Sequence, residues 1–117
     1  MAPKRRQQYR HLPAFILLAL AEGPIHGSAI HSVLIERMGL CRPDTGAIYR
    51  TLQQLEQDHE VVSDWDTSGS GPARKVYHLT PTGWEKLELW RQDIEMRLAN
   101  LQYFLETYRL LQKPNKS

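Results

Sequence analysis

The chain has a single cysteine, Cys41, among 117 residues. A lone thiol closes no internal disulfide and offers no paired metal ligands, which excludes stapled secreted scaffolds and cysteine-based zinc modules. Long hydrophobic runs are also missing. The longest, Phe15 to Ala21, falls far short of the ~20 apolar residues of a membrane span. The basic start "MAPKRRQQYRHLP" lacks a secretory cleavage pattern after it, so a cytoplasmic location and no membrane partner are expected. Internal repeats and low-complexity tracts are absent. At this length, with 41% hydrophobic residues, one modest core is the expectation.

Strong net charge is lacking too, at +2, but its distribution is uneven. Lys4, Arg5, Arg6 and Arg10 stand together without an acid, and residues 11–66 hold three basic against eight acidic side chains. Residues 67–79 carry Arg74 and Lys75 with no acid. A polyanion would therefore be attracted by the N-terminal arm and the 67–79 loop, while the acidic middle argues against indiscriminate nucleic-acid binding.

Breakers and caps divide the chain. The run "AFILLALA" is apolar nearly all round and predicts a central helix from about Leu12 to Glu22, stopped by "EGPIHG". A second helix, from about Ser28 to Met38, places Ile30, Val33, Leu34 and Met38 on one face and ends at Gly39. The third, "TGAIYRTLQQLEQD", follows the turn "CRPD" with Asp44 as cap. Then "VVSDW" and "RKVYHL" alternate as two strands joined by "DTSGSGPA". Thr80 caps a last helix with Pro81 at its first position, and no breaker follows until Pro114. Such a helix is about 45–50 Å long.

Ile48, Leu52 and Leu55 share one side of the third helix, and Gly46, Arg50, Gln53 and Gln57 point nearly opposite, flanked by Tyr49 and Gln54. A solvated face is usually laced with Lys and Glu pairs. Arg and Gln are the side chains that read guanine and adenine in the major groove, although Gln is also simply a good helix former. Along the last helix Leu87, Ile94, Leu101 and Tyr108 recur every seven residues, with Trp90, Phe104 and Leu111 at the accompanying positions, Leu98 and Leu105 widening the stripe and Arg97 interrupting it. The first turns have a core to pack on; the distal half requires self-association.

Three helices, a two-stranded hairpin with a basic, glycine-rich tip and a polar third helix form the order of a winged helix-turn-helix, mainly α with a small β part. The blocks "HGSAI", "TGAIYRTLQQLE", "SDW" and "GPARKVYHLTPTG" resemble, in order and spacing, those of the PadR-like transcriptional regulators, from about Leu12 to Leu111. The resemblance implies a homodimeric repressor that reads an inverted-repeat operator in double-stranded DNA. Its domains would be an arm (1–11), a winged DNA-binding domain (12–79), a dimerisation helix (80–112) and a tail (113–117). Tyr49 is similar to the family's helix tyrosine, Arg74 and Lys75 to its wing pair, and Gly83 and Trp84 to the start of its dimer helix. The DNA-contacting set expected is Thr45, Gly46, Tyr49, Arg50, Gln53, Gln54, Arg74 and Lys75, with Lys4, Arg5 and Arg6 from the arm. The family's multidrug sensors imply an apolar or aromatic effector beside Trp90, Ile94, Tyr103 and Phe104, against the plainer reading that these are packing. His59 and Glu60 depart from the pattern: Gly and a large aliphatic residue are usual there, so strain or rearrangement is expected where the hairpin begins.

Rival chemistries have little support. His26 and His31, five apart, fall on different sides of a helix, so no metal is expected. "GSGPAR" lacks the third glycine and the strand-to-helix context of a phosphate loop, and neither Ser28 nor Ser63 is paired with a base by any motif. No enzyme activity and no cofactor follow. The remaining alternative is an interaction module that uses its acidic third-helix region to bind a protein partner instead of DNA.

Overall fold

The computed structural model describes residues 10–38 and 43–111. The elements run α1 (Leu12–Ala21), β1 (Ile25–His26), α2 (Gly27–Arg37), α3 (Thr45–Gln57), β2 (Val61–Asp66), β3 (Arg74–Leu79) and α4 (Pro81–Leu110). The chain divides into two compact units that meet between Leu87 and Glu88. The first two turns of α4 thus belong with the winged unit.

In the first unit α1 is the centre. Leu12, Ile16, Leu17 and Leu20 are buried, and the helix packs against α2, α3 and β3. Ile30 and Leu34 complete the core from α2, Ile48, Leu52 and Leu55 from α3, and Val61 and Tyr77 from the sheet. Each fully buried Leu or Ile stabilises the fold by roughly 1.5–3 kcal/mol. The apolar side of α3 is therefore committed to the core, which leaves its polar side outward. α2 ends at Arg37, before Gly39, which lies outside the described residues; Met38 closes it with φ −101°.

The sheet has three strands, not the two of the expected hairpin. Its order is β1-β3-β2, all antiparallel, with Ile25 opposite Tyr77 and His26 opposite Val76. The sequence pattern places Ile25 and His26 in the stop after α1; Gly23, at φ +153°, turns the chain so that they reach the free edge of β3. β2 and β3 pair from Val61 opposite Leu79 to Asp66 opposite Arg74. Among the described residues no helix is long and apolar enough to cross a membrane.

The junction between α3 and β2 closes in a left-handed turn despite its unusual residues. His59 has φ +62°, the left-handed turn that ends many helices and that glycine adopts without cost. Its N–H bonds to the Glu56 carbonyl and that of Glu60 to the Leu55 carbonyl, at 3.1 and 2.9 Å. Thr80 fastens the turn from outside, its hydroxyl donating to the His59 carbonyl at 2.6 Å and its N–H to the Glu60 carbonyl at 3.2 Å. The strain expected at His59 is present, and β2 nevertheless starts at Val61. Glu60 is buried, 6% exposed, with Lys86 Nζ 3.8 Å from Oε2. Its carboxyl is pushed above the usual range by burial, an effect that Lys86 opposes. A Cβ on buried Gly83 would collide with the Glu60 carbonyl and with Leu79, so this first turn of α4 needs glycine for close approach.

In the second unit, Glu88 and Arg91, Arg91 and Glu95, and Asp93 and Arg97 form ion pairs one turn apart. The Arg97 guanidinium lies along its own helix, 2.8 Å from Asp93, so the residue that interrupts the stripe is neutralised locally. Beyond it Leu98, Leu101, Phe104, Tyr108 and Leu111 are each more than half exposed, and Leu105 is nearly so.

Candidate nucleic-acid interface

α3 begins where Asp44 accepts the Ala47 N–H at 2.6 Å, which satisfies one of the free donors of the first turn. With Ile48, Leu52 and Leu55 inward, Thr45, Gly46, Tyr49, Arg50, Gln53, Gln54 and Gln57 are all exposed. The Arg50 guanidinium folds back over Gly46: a Cβ there would lie 3.1 Å from Nη1 and 3.4 Å from Asp44 Oδ1. Glycine thus leaves room for the arginine to rest against its own helix and to swing outward. Gln54 donates to both carboxylate oxygens of Asp58 at 3.2 Å, which directs it along the helix, while Gln53 is exposed.

Tyr49 turns toward the sheet. It lines an open groove of about 290 Å³ together with Gly27, Ser28, Arg74, Lys75 and Tyr77. The walls of this groove are the first residues of α2, the flank of α3 and the base of the wing. Gly27 permits it to be narrow, because a Cβ would lie 3.0 Å from the Tyr77 ring. A helix start without a side-chain cap, two cations and a phenol make a surface suited to an anion.

The two wing cations are not equivalent. Arg74 is exposed and has no ion pair among the described residues. Lys75 sits 3.9 Å from Glu56 Oε1 and 5.6 Å above the Tyr77 ring, so an anion must compete with a carboxylate for it. Glu56 is itself held by the Ser63 hydroxyl at 2.7 Å. The arm residues Lys4, Arg5 and Arg6, together with Cys41, lie outside the described residues.

The structure therefore brings Tyr49, Arg74 and Lys75 into one groove, and sets Arg50 and Gln53 on the outward face of α3. Sequence reasoning missed Gly27, Ser28 and Tyr77 as its lining and Glu56 as the partner of Lys75. It also missed the outer face of the sheet, where His26 Nε2 lies 2.8 Å from Asp66 Oδ2 and His78 Nε2 3.4 Å from Asp64 Oδ1. Period-two alternation places Asp64, Asp66, Arg74 and His78 on one face, but nothing local announces His26 beside them.

Leu87, half-buried, is the last residue of the first unit; in the second, Trp90 and Ile94 are half-buried, whereas Tyr103 and Phe104 are 69% and 62% exposed. Phe104 stacks parallel to Tyr108 with ring centres 6.3 Å apart. The four residues expected near an effector span about 20 Å of helix.

Comparison with known proteins gives one consistent answer. The profile of the transcriptional regulator PadR-like family matches residues 16–89. A PadR-like transcriptional regulator from Bacillus cereus is 25% identical and superimposes with a TM-score of 0.73, covering 85% of this chain and 96% of that one. Bacillus subtilis PadR, solved in complex with operator DNA, is 28% identical with a TM-score of 0.63, over 70% of this chain and 47% of that one. An uncharacterised 37.1 kDa protein in transposon TN4556 of Streptomyces fradiae is 37% identical over 73 residues. That match takes in 62% of this chain, which spans only a fifth of its curated relative, 20% of the length. The polar outward helix, the wing and the matched profile agree, and the chain belongs to the PadR-like family of transcriptional regulators.

Proposed function

We propose that this regulator binds double-stranded DNA as a homodimer and represses transcription by occupying an inverted-repeat operator. α3 enters the major groove, Arg50 and Gln53 face the base edges, and the groove formed by Tyr49, Arg74 and Lys75 takes a backbone phosphate. The observation that carries this reading is the outward face of α3: exposed Gly46, Arg50 and Gln53 lie on the same helix as Tyr49 of the cationic groove. That Bacillus subtilis PadR was solved on operator DNA supports it.

The exposed stripe of α4 supports the dimer. Leu87, Trp90, Ile94, Leu98, Leu101, Phe104, Leu105, Tyr108 and Leu111 supply the seam, because an apolar surface of that extent in water marks an interface. Within a dimer, Trp90, Ile94, Tyr103 and Phe104 offer aromatic walls to a small apolar effector that would release the operator.

The experiment is to sequence the genomic fragments retained by the purified protein and to footprint the strongest. An inverted repeat with half-site centres about one helical turn apart, or a multiple, is the expected result. Retention of no DNA, with capture of an unrelated protein instead, would transfer the α3 face to the interaction-module reading.

A further inference from the structure

One carboxylate joins the two walls of the groove. Asp66 is the last residue of β2, opposite Arg74 in the ladder. Its Oδ2 lies 2.8 Å from Nε2 of His26, 40 residues away. Its Oδ1 accepts the N–H of Ser68 at 3.0 Å and the Ser68 hydroxyl at 2.6 Å, the turn that opens the wing loop. Both side chains of the His26–Asp66 pair are about seven-tenths covered, 28% and 29% exposed. His26 immediately precedes Gly27 and Ser28, which line the groove opposite Arg74 and Lys75.

An acid at this place is unexpected on electrostatic grounds. Facing a polyanion, a carboxylate beside the wing cations repels what they attract. Three hydrogen bonds converge on it all the same, and among the described residues the side-chain ties of the loop 67–73 run to Asp66. Gly69 and Gly71 stand in open space, so the loop has little else to define its path.

We propose that Asp66 is a positioning residue for DNA binding: acting through His26 and Ser68, it fixes the wing and the start of α2 at the separation that lets Arg74 engage a phosphate. This rests on the DNA-binding reading above. It also makes a prediction opposite in sign to simple charge counting, since removal of an acid near DNA should tighten binding, whereas loss of a positioning residue should weaken it.

The test uses the full chain and the strongest genomic fragment it retains, titrated at several salt concentrations, with Asp66→Ala, Asp66→Asn, His26→Gln, Arg74→Ala and the Asp66→Ala, Arg74→Ala double variant. Asp66→Ala is expected to weaken binding about tenfold and to flatten the salt dependence as Arg74→Ala does. The double variant should be no weaker than Arg74→Ala, and Asp66→Asn should retain most of the affinity, because its amide oxygen still accepts from Ser68 and its N–H can donate to a neutral imidazole. His26→Gln, which spares the Ser68 turn, gives an intermediate loss at an unchanged melting temperature and decides the matter if Asp66→Ala does not fold. Tighter binding by Asp66→Ala, or additive losses in the double variant, overturns the inference while leaving DNA binding intact. Wild-type protein that retains no DNA overturns both.

Discussion

The outward face of α3 and the distal stripe of α4 are both exposed among the described residues, and their chemistry is opposite. α3 shows water Arg50, Gln53 and Gln57; α4, with Leu111 just past its end, shows it Leu101, Phe104, Tyr108 and that leucine, between 55% and 66% exposed. A polar face costs little when solvated, so the DNA proposed for it would be free to come and go. An apolar face of that size is stable only when covered, so the second copy proposed for it would belong to the resting state of the protein. The ion pairs of α4 stop at Arg97, and from Leu98 to Leu110 the only charged residues are Glu106 and Arg109. The helix thus changes from a solvated surface to a sticky one along its own length.

The largest expected effect breaks the apolar half of that contrast. Leu101→Glu introduces a charge into the proposed seam, where leaving it buried and unpaired costs several kcal/mol. Light scattering should report a monomer, with circular dichroism showing the winged unit still folded. A monomeric wild type at micromolar concentration would instead remove the seam altogether.

Next in size is Gly83→Ala. The added methyl collides with the backbone carbonyl of Glu60 as well as with the Leu79 side chain, and backbone cannot step aside. A loss of about 1–3 kcal/mol, or more, is expected in denaturant melts. This separates the first turn of α4, which belongs to the winged unit, from the distal turns that do not.

The polar half is sharpened by Arg50→Ala. A bidentate contact to guanine is worth about 1–3 kcal/mol, and its loss should relax preference at one base pair of each half-site. Lys75→Ala should weaken all sequences alike and by less than Arg74→Ala, because Lys75 already shares its charge with Glu56. Equal losses on every sequence for Arg50→Ala would move it to the backbone class, leaving Gln53 and Gln54 as readers.

The smallest effect is a gain. Glu60 ionises less readily in the folded protein than in the unfolded chain, so near and above its ordinary pKa the native state binds more protons and stability falls as pH rises through that window. Glu60→Leu should remove this slope and raise stability at neutral pH by about 1 kcal/mol, Lys86 being exposed enough to stay solvated. A thermal melt at pH 4 and pH 7 on both proteins checks the sign.

What was legible in the sequence was what local chemistry decides. Asp44 and Thr80 with Pro81 announced the starts of α3 and α4, and alternation gave β3 its bounds of Arg74 to Leu79. Two-residue β1 was not legible, because its reason for existing lies in Val76 and Tyr77, some fifty positions later. Separations of 40 and 19 residues likewise hid His26 from Asp66 and Glu56 from Lys75. Tyr49 could be placed on α3 but not in the groove, since its other wall is drawn by α2 and β3.

The left-handed histidine at the end of α3 has a consequence in time. A turn in that conformation is disfavoured for any side chain but glycine, and its two carbonyls are held by Thr80, 21 and 20 residues further along. Those bonds do not exist until β2 and β3 have closed. In the folding chain the last turn of the helix proposed to read DNA has at first only its own bonds to Glu56 and Leu55, and the two from Thr80 are expected to join them no sooner than the microseconds that hairpin closure takes. The end of that helix is thus fastened by a residue that lies beyond both strands of the wing.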